Sequence, residues 1–180
     1  MFRFSLDDES DLRLLQPYHA EALFALTDAN RAHLRTWLPW LDHVKSVADS
    51  ENFIKGVMRQ FGENNGFQTG IWYQDQLAGV IGYHAIDWTN RSTALGYWLG
   101  ESFQGHGLMT RAARALTTYA LVDLSLNRID IRCALGNRRS CAVAVRLGYT
   151  HEGIVRQAEW LYDRFVDHNV YAMLAQDWEA

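Results

Sequence analysis

Between residues 100 and 114 the chain reads Gly-Glu-Ser-Phe-Gln-Gly-His-Gly-Leu-Met-Thr-Arg-Ala-Ala-Arg, and no other stretch restricts the possible folds as much. A strand pattern, Thr93 to Leu99, runs into it. A helical pattern with Met109, Ala112, Ala113, Leu116 and Ala120 at the right spacing runs out of it. Gly105 and Gly107 sit at the changeover. Glycine lets backbone N–H groups turn inward and approach a ligand closely. The helix start adds unpartnered N–H donors and the positive end of its dipole. Together these features make an anion site suited to a pyrophosphate; at their plainest, the glycines make only a strand-to-helix turn. A Walker A loop needs Gly-Lys-Ser/Thr, which does not follow. The dinucleotide fingerprint needs a third glycine where Thr110 stands, and it follows the first strand of a parallel sheet, whereas this loop comes late.

The 180 residues are expected to form one unit, residues 1–180, with no linker, repeat or low-complexity tract. At 48% apolar residues the chain can bury a core, which excludes a disordered tail. The net charge of −4 offers no basic surplus for a nucleic acid. No run approaches the roughly 18 apolar residues that span a bilayer, and Asp7, Asp8 and Glu9 leave no readable signal peptide. Two cysteines, Cys133 and Cys141, without a Cys-x-x-Cys spacing, fit a cytoplasmic protein; they argue against a disulfide framework and a thiolate metal site. The seven histidines are scattered, so no metal is expected.

Strands are predicted over Leu12–Gln16, Gln68–Tyr73, Leu77–Ile86, Thr93–Leu99, 128–135, from Tyr149, and over Asn169–Leu174. Helices are predicted over Ala20–Leu34, Ala48–Phe61, 108–124 and 138–147. In the second helix Phe53, Ile54, Val57, Met58 and Phe61 share a face. Gln74-Asp75-Gln76 is a hairpin turn without glycine. Three adjacent strands with short connections imply an antiparallel meander. The strand–helix–strand unit around 94–135 implies a parallel pair. The fold class is mixed α/β.

Gln104-Gly105-His106-Gly107-Leu108-Met109 resembles the acyl-coenzyme A pyrophosphate motif of the GNAT acetyltransferases, from which Met109 departs by its size; such a side chain must turn into the core. Asn137-Arg-Arg-Ser140 followed by Arg146-Leu-Gly-Tyr149 is similar to the second motif of that family. Residues 96–108, Glu152-Gly153, Gln157-Ala158-Glu159 and Asp167-x-Asn169-x-Tyr171-Ala172 resemble the branch that acetylates ribosomal-protein serines. The resemblance implies a mostly antiparallel sheet of about seven strands (α+β), flanked by helices, with a central parallel pair. It also implies acetyl-CoA as co-substrate and an amine acceptor.

By the same resemblance, Tyr97, Trp98 and Leu99 hold the pantetheine arm by main-chain hydrogen bonds. The amides of Gln104, Gly105, His106, Gly107, Leu108, Met109 and Thr110 hold the pyrophosphate, and Asn137 positions a pantetheine amide. Arg111 or Arg114 could face the remaining phosphate, or a solvated helix face. An α-amine with a pKa near 8 needs a base, and Glu101 would draw its proton off through a water. The usual acid, a tyrosine seven residues after the motif asparagine, is Ala144 here. Ser140 is the substitute, or else a helix-capping residue. Trp37 and Trp40 could wall the acceptor cleft, with Asp42 or Glu159 attracting a cationic acceptor. Cys133, alternating with Ile129 and Ile131, reads as core. The acceptor is expected to be a protein N-terminal amine, with a small amine (polyamine, amino sugar, amino acid) or a non-catalytic acyl-CoA-binding module as alternatives. A homodimer is left open.

Overall fold

The computed structural model describes residues 3–179. Eight strands form one sheet in the order β1-β2-β3-β4-β5-β6-β8-β7. β1 (Arg3–Ser5), β2 (Ser10–Leu14), β3 (Gln68–Tyr73), β4 (Gln76–Tyr83) and β5 (Ser92–Leu99) are antiparallel neighbours in turn. β6 (Arg128–Ala134) runs parallel to β5, and β7 (Thr150–Leu161) and β8 (Arg164–Leu174) complete the other edge as an antiparallel hairpin. The mixed sheet with its central parallel pair is the one expected, with eight strands where about seven were predicted.

The β3–β4 turn works without glycine because Gln74 and Asp75 both take positive φ, 48° and 59°. That is the left-handed pair a two-residue hairpin needs, and Arg13 donates to the Asp75 carboxylate at 2.7 Å. The helix expected over 20–34 is instead two, α1 (Ala20–Ala29) and α2 (Arg31–Arg35), parted at Asn30, whose φ of −110° and ψ of 13° leave the helical basin. α3 (Val47–Gly62) starts on a Ser46–Asp49 capping box. Its expected apolar face is corrected. Ser50 and Ile54 are buried, whereas Phe53, Met58 and Phe61 are exposed at 43%, 40% and 52%. One helix on a sheet needs only a narrow inner stripe, and these three rings and chains fall outside it. α4 (Leu108–Thr118) gives way to a π turn over Tyr119–Asp123, just past the Leu116 carbonyl to which the Tyr83 hydroxyl on β4 donates. α5 (Arg138–Arg146) follows β6.

Helices cover both faces. Leu15, Ala20, Leu23 and Ile54 pack with Trp72, Leu77 and Val80 on the face of α1 and α3. On the other, Leu108, Met109, Ala112, Ala113 and Leu116 of α4 pack over Ile71, Ile81, Leu95, Ile129 and Ile131.

One irregularity positions everything that follows. β5 pairs with β6 only from Ser92↔Arg128 to Leu95↔Ile131. Beyond that, β5 stays on β4 as far as Gly79↔Leu99, and β6 stays on β8 as far as Ala134↔His168. The two central strands therefore part like a wedge. β5 can press so closely on β4 because Gly79 has no side chain: a methyl group there would run into the Trp98 carbonyl oxygen.

Gly79→Ala should therefore lower folding stability by about 3 kcal/mol, since backbone must move to admit it. Gly56→Ala, on an exposed turn of α3 with nothing within 4 Å, should raise it by up to about 1 kcal/mol. Urea titration of the two variants checks both signs.

Candidate active site

The wedge opens into a groove of about 1250 Å³. Its walls come from the end of β5, the loop that follows it, the first turns of α4 and α5, and the α2 region with Trp37 and Leu38. That volume exceeds the roughly 300–1,000 Å³ of an ordinary small-molecule site and suits an extended ligand.

The loop leaves β5 through a single turn at Glu101–Phe103. Gly105 and Gly107 then take φ of +86° and +72°, a region that L side chains rarely occupy. Gly107 is the N-terminal cap of α4 and offers no side chain to the first turn. The first helical bond runs from Arg111 N–H to Gly107 O at 3.1 Å. The amides of residues 105–110 find no acceptor among the described residues. Such a row of donors at a helix start calls for an anion. Leu108 and Met109 bury their side chains in the core, at 1% and 7% exposure, so each offers the groove only its main chain. His106 turns out of the groove and packs on Tyr73, ring centroids 5.1 Å apart.

Charge reinforces the loop. Arg111, Arg138, Arg139 and Arg146 line the groove, against one carboxylate, Glu101. Arg146 donates to the Thr110 hydroxyl at 3.1 Å. Arg111 Nε lies 2.8 Å from Asp7 Oδ2, off the hydrogen-bond direction, so that contact is coulombic. Of the two arginines singled out in the sequence, Arg114 faces away, over the Trp178 ring.

The open edge of β5, from Gly96 to Leu99, forms the inner wall. Tyr97 spans the wedge from there. Its hydroxyl donates to the Ser140 carbonyl at 3.0 Å and accepts from the Ser140 hydroxyl at 3.2 Å. Burial pushes the Tyr97 phenol well above its ordinary range, so it stays protonated. Ser140 does not cap α5; Asn137 does, its side-chain oxygen accepting from Ser140 N–H at 3.1 Å. The Ser140 hydroxyl is thus left out of the cap and is spent on Tyr97, at the groove. Ala144, where the family carries its tyrosine, is fully buried.

Glu101 is exposed and lines the groove. Its N–H donates to Asn30 Oδ1 at 2.8 Å, and Asn30 in turn donates to Leu26 O at 2.8 Å. The Gln104 side-chain amide donates to His33 Nε2 at 2.9 Å and its oxygen accepts from Arg139, tying α2 to α5 across the loop. Sequence reasoning missed Asn30, His33 and Arg139. Only Asn30 left a trace, as a poor helix former within a helical pattern.

On the outer side Trp37 lines the groove, whereas Trp40 lies behind it against Trp98, centroids 6.1 Å apart. Asp42 is bound by Arg35 through two hydrogen bonds of 2.9 Å, which hold its carboxyl below the usual range. It is already neutralised and does not line the groove. Glu159, on β7, sits 3.5 Å from His168 Nε2 and likewise stands off the groove lining. Among the described residues no three His, Cys, Asp or Glu side chains gather as a metal site, and no helix is long and apolar enough to cross a membrane.

Inorganic pyrophosphate should therefore bind at low salt. Gly107→Ala, which forces a side chain into a left-handed conformation beside Arg111, should weaken it about tenfold. Arg146→Ala should do the same by removing one charged donor. Calorimetry on the three proteins checks this; equal affinities would show that the anion sits elsewhere.

Residues 11–150 match the family model described as an acetyltransferase (GNAT) domain. The Bacillus subtilis (strain 168) protein YdaF is 36% identical over 99% of this chain and 98% of its own length. The ribosomal-protein-serine acetyltransferase of Escherichia coli (strain K12) is 33% identical over 94% of each. Among solved structures, RimL, a ribosomal alpha-N-protein acetyltransferase, in complex with coenzyme A as a disulfide with one of that protein's cysteines, superposes with a TM-score of 0.93 at 32% identity. That match covers 96% of this chain and 98% of the other. With a family match over that span and relatives of that identity along its length, the chain belongs to the GNAT acetyltransferases.

Proposed function

We propose that this acetyltransferase moves the acetyl group of acetyl-CoA onto the N-terminal α-amine of a ribosomal protein, by direct attack of the amine in a ternary complex. The observation that carries this reading is the wedge between β5 and β6. It presents an open strand edge, a row of unpartnered amides and two proton-handling side chains along one groove. The acceptor is suggested by the relatives, two of which act on ribosomal proteins by name.

The edge of β5 from Gly96 to Leu99 pairs with the amide groups of the pantetheine arm as a further strand would. Asn137 spends its side-chain oxygen on the helix cap and keeps its NH2 group for a pantetheine carbonyl. The amides of Gly105 to Thr110 and the arginines beside them take the phosphates; the Gln104 amide, expected among them, is spent on the Glu101 carbonyl at 3.2 Å. Trp37 walls the acceptor side.

Glu101 draws a proton from the ammonium group through a water. The freed amine attacks the thioester carbonyl, the C–S bond breaks, the nitrogen gives its second proton to water, and the thiolate departs with a hydrogen bond from Ser140. To make that bond the Ser140 hydroxyl turns its one proton to the sulfur from Tyr97 Oη, to which it otherwise donates. A thiolate is a stable leaving group at neutral pH, so Ser140 has little to supply.

Mass spectrometry of ribosomal proteins incubated with the enzyme and labelled acetyl-CoA tests the acceptor. One protein should gain an acetyl group on its N-terminal amine. Label that appears only on small amines would overturn this acceptor, and absence of any label would overturn the transfer itself. Glu101→Gln should lower kcat about 100-fold at neutral pH and recover partly at alkaline pH, where an amine with a pKa near 8 loses its proton unaided. A profile parallel to that of the unmodified enzyme would take the base role from Glu101. Ser140→Ala should cost no more than about tenfold.

A further inference from the structure

The two cysteines lie eight positions apart, one on β6 and one in the first turn of α5, and nothing in their spacing brings them together. The crossing of α5 over β6 does. Both are free thiols, and their Sγ atoms are 2.7 Å apart. Either sulfur is within reach of the other. Cys133 keeps the buried place beside Ile129 and Ile131 that its alternation implied, at 5% exposure, whereas Cys141 is half-buried. The pair is embedded among polar groups. Asn169 Nδ2 donates to Cys141 Sγ at 3.5 Å, and its Oδ1 lies 3.0 Å from His151 Nε2. Ser140, the neighbour of Cys141 in sequence, donates its hydroxyl to Tyr97 at 3.2 Å.

We propose that Cys133 and Cys141 are a dithiol modification site, which a low-molecular-weight disulfide closes to an intramolecular disulfide next to Ser140, a residue that lines the acetyl-transfer groove. Cys141, the more accessible sulfur, attacks the small disulfide as its thiolate and releases one small thiol. Cys133 then loses its proton to solvent and attacks the Cys141 sulfur of the mixed disulfide, releasing the second. Two cysteine thiols and one small disulfide become one protein disulfide and two small thiols; the two electrons pass to the small molecule. Burial, and then Cys141 itself, push the Cys133 thiol up. Cys133 is therefore a slow first nucleophile and the natural second one.

The bond ties α5 to β6 at the residue next to Ser140, whose carbonyl and hydroxyl hold Tyr97. It leaves the amides of residues 105–110 alone. Oxidation should thus lower kcat about tenfold through misplacement of Ser140, with the KM for acetyl-CoA unchanged. This kinetic arm rests on the acetyl-transfer reading; the covalent arm does not.

The folded chain is incubated with oxidised glutathione, denatured, alkylated and weighed intact. The expected product is lighter by two hydrogens and carries no alkyl group. Because Arg138 and Arg139 lie between the cysteines, trypsin should release two peptides joined by the bond. Cys141→Ser should keep its activity in oxidised glutathione and lose no hydrogens. Two alkylated cysteines after oxidation would overturn the proposal. So would a stable adduct of glutathione, or of coenzyme A when its disulfide is the oxidant, at either sulfur. The bond forming with kcat unmoved would overturn its effect on turnover, whatever becomes of the transfer assay.

Discussion

The parting of β5 from β6 is the constraint on which the rest of the molecule depends. A sheet strand has two edges, and each central strand here is held more firmly by its outer neighbour than by its inner one. β5 lies tight on β4 because Gly79 lets the backbones approach. β6 keeps its register with β8 to the end of the strand. Past Leu95 and Ile131 the two cannot also hold each other. The unpaired edge this leaves is costly inside a sheet unless something pairs with it. The candidate groups gather there for topological reasons. The loop with the glycines leaves the end of β5, and the turn with Asn137 and Ser140 leaves the end of β6.

Where local chemistry decides the structure, the sequence was readable. β3 runs from Gln68 to Tyr73, the bounds its β-branched and aromatic run implied. Gly105 and Gly107 sit at the strand-to-helix change with the positive φ that glycine permits. Met109 turns inward, as its bulk demanded. Where packing decides, the sequence was quiet. The strand expected from Tyr149 begins at Thr150, but its length could not be read: β7 is an edge strand with most of its residues exposed and two register shifts, so it shows no sustained two-residue alternation. The rings at Phe53 and Phe61 kept the helical period of α3 but lay beyond the narrow stripe that contact with the sheet requires.

The candidate site divides the same way. Its main-chain donors were legible because a loop and a helix start are local objects. Its side-chain ties were not, since they join positions far apart in the chain: Asn30 with Glu101, His33 with Gln104, Tyr97 with Ser140. The same holds for charge. A net charge of −4 says nothing of four arginines meeting at one groove, nor of Asp42 already spent on Arg35. Composition describes the whole surface, while a ligand meets only a local field.

The brevity of the parallel ladder has a mechanical consequence. Four residue pairs join the first five strands to the last three, so the molecule has a seam down its middle. The apolar layer under α4, which reaches both sides through Leu95, Ile129 and Ile131, does most of the joining. A pantetheine chain bound as proposed, along the bare margin of β5, would add rungs that the protein's own backbone lacks. Occupancy and stiffening of the two halves are then one thermodynamic event, and the fold is most nearly whole when it is loaded.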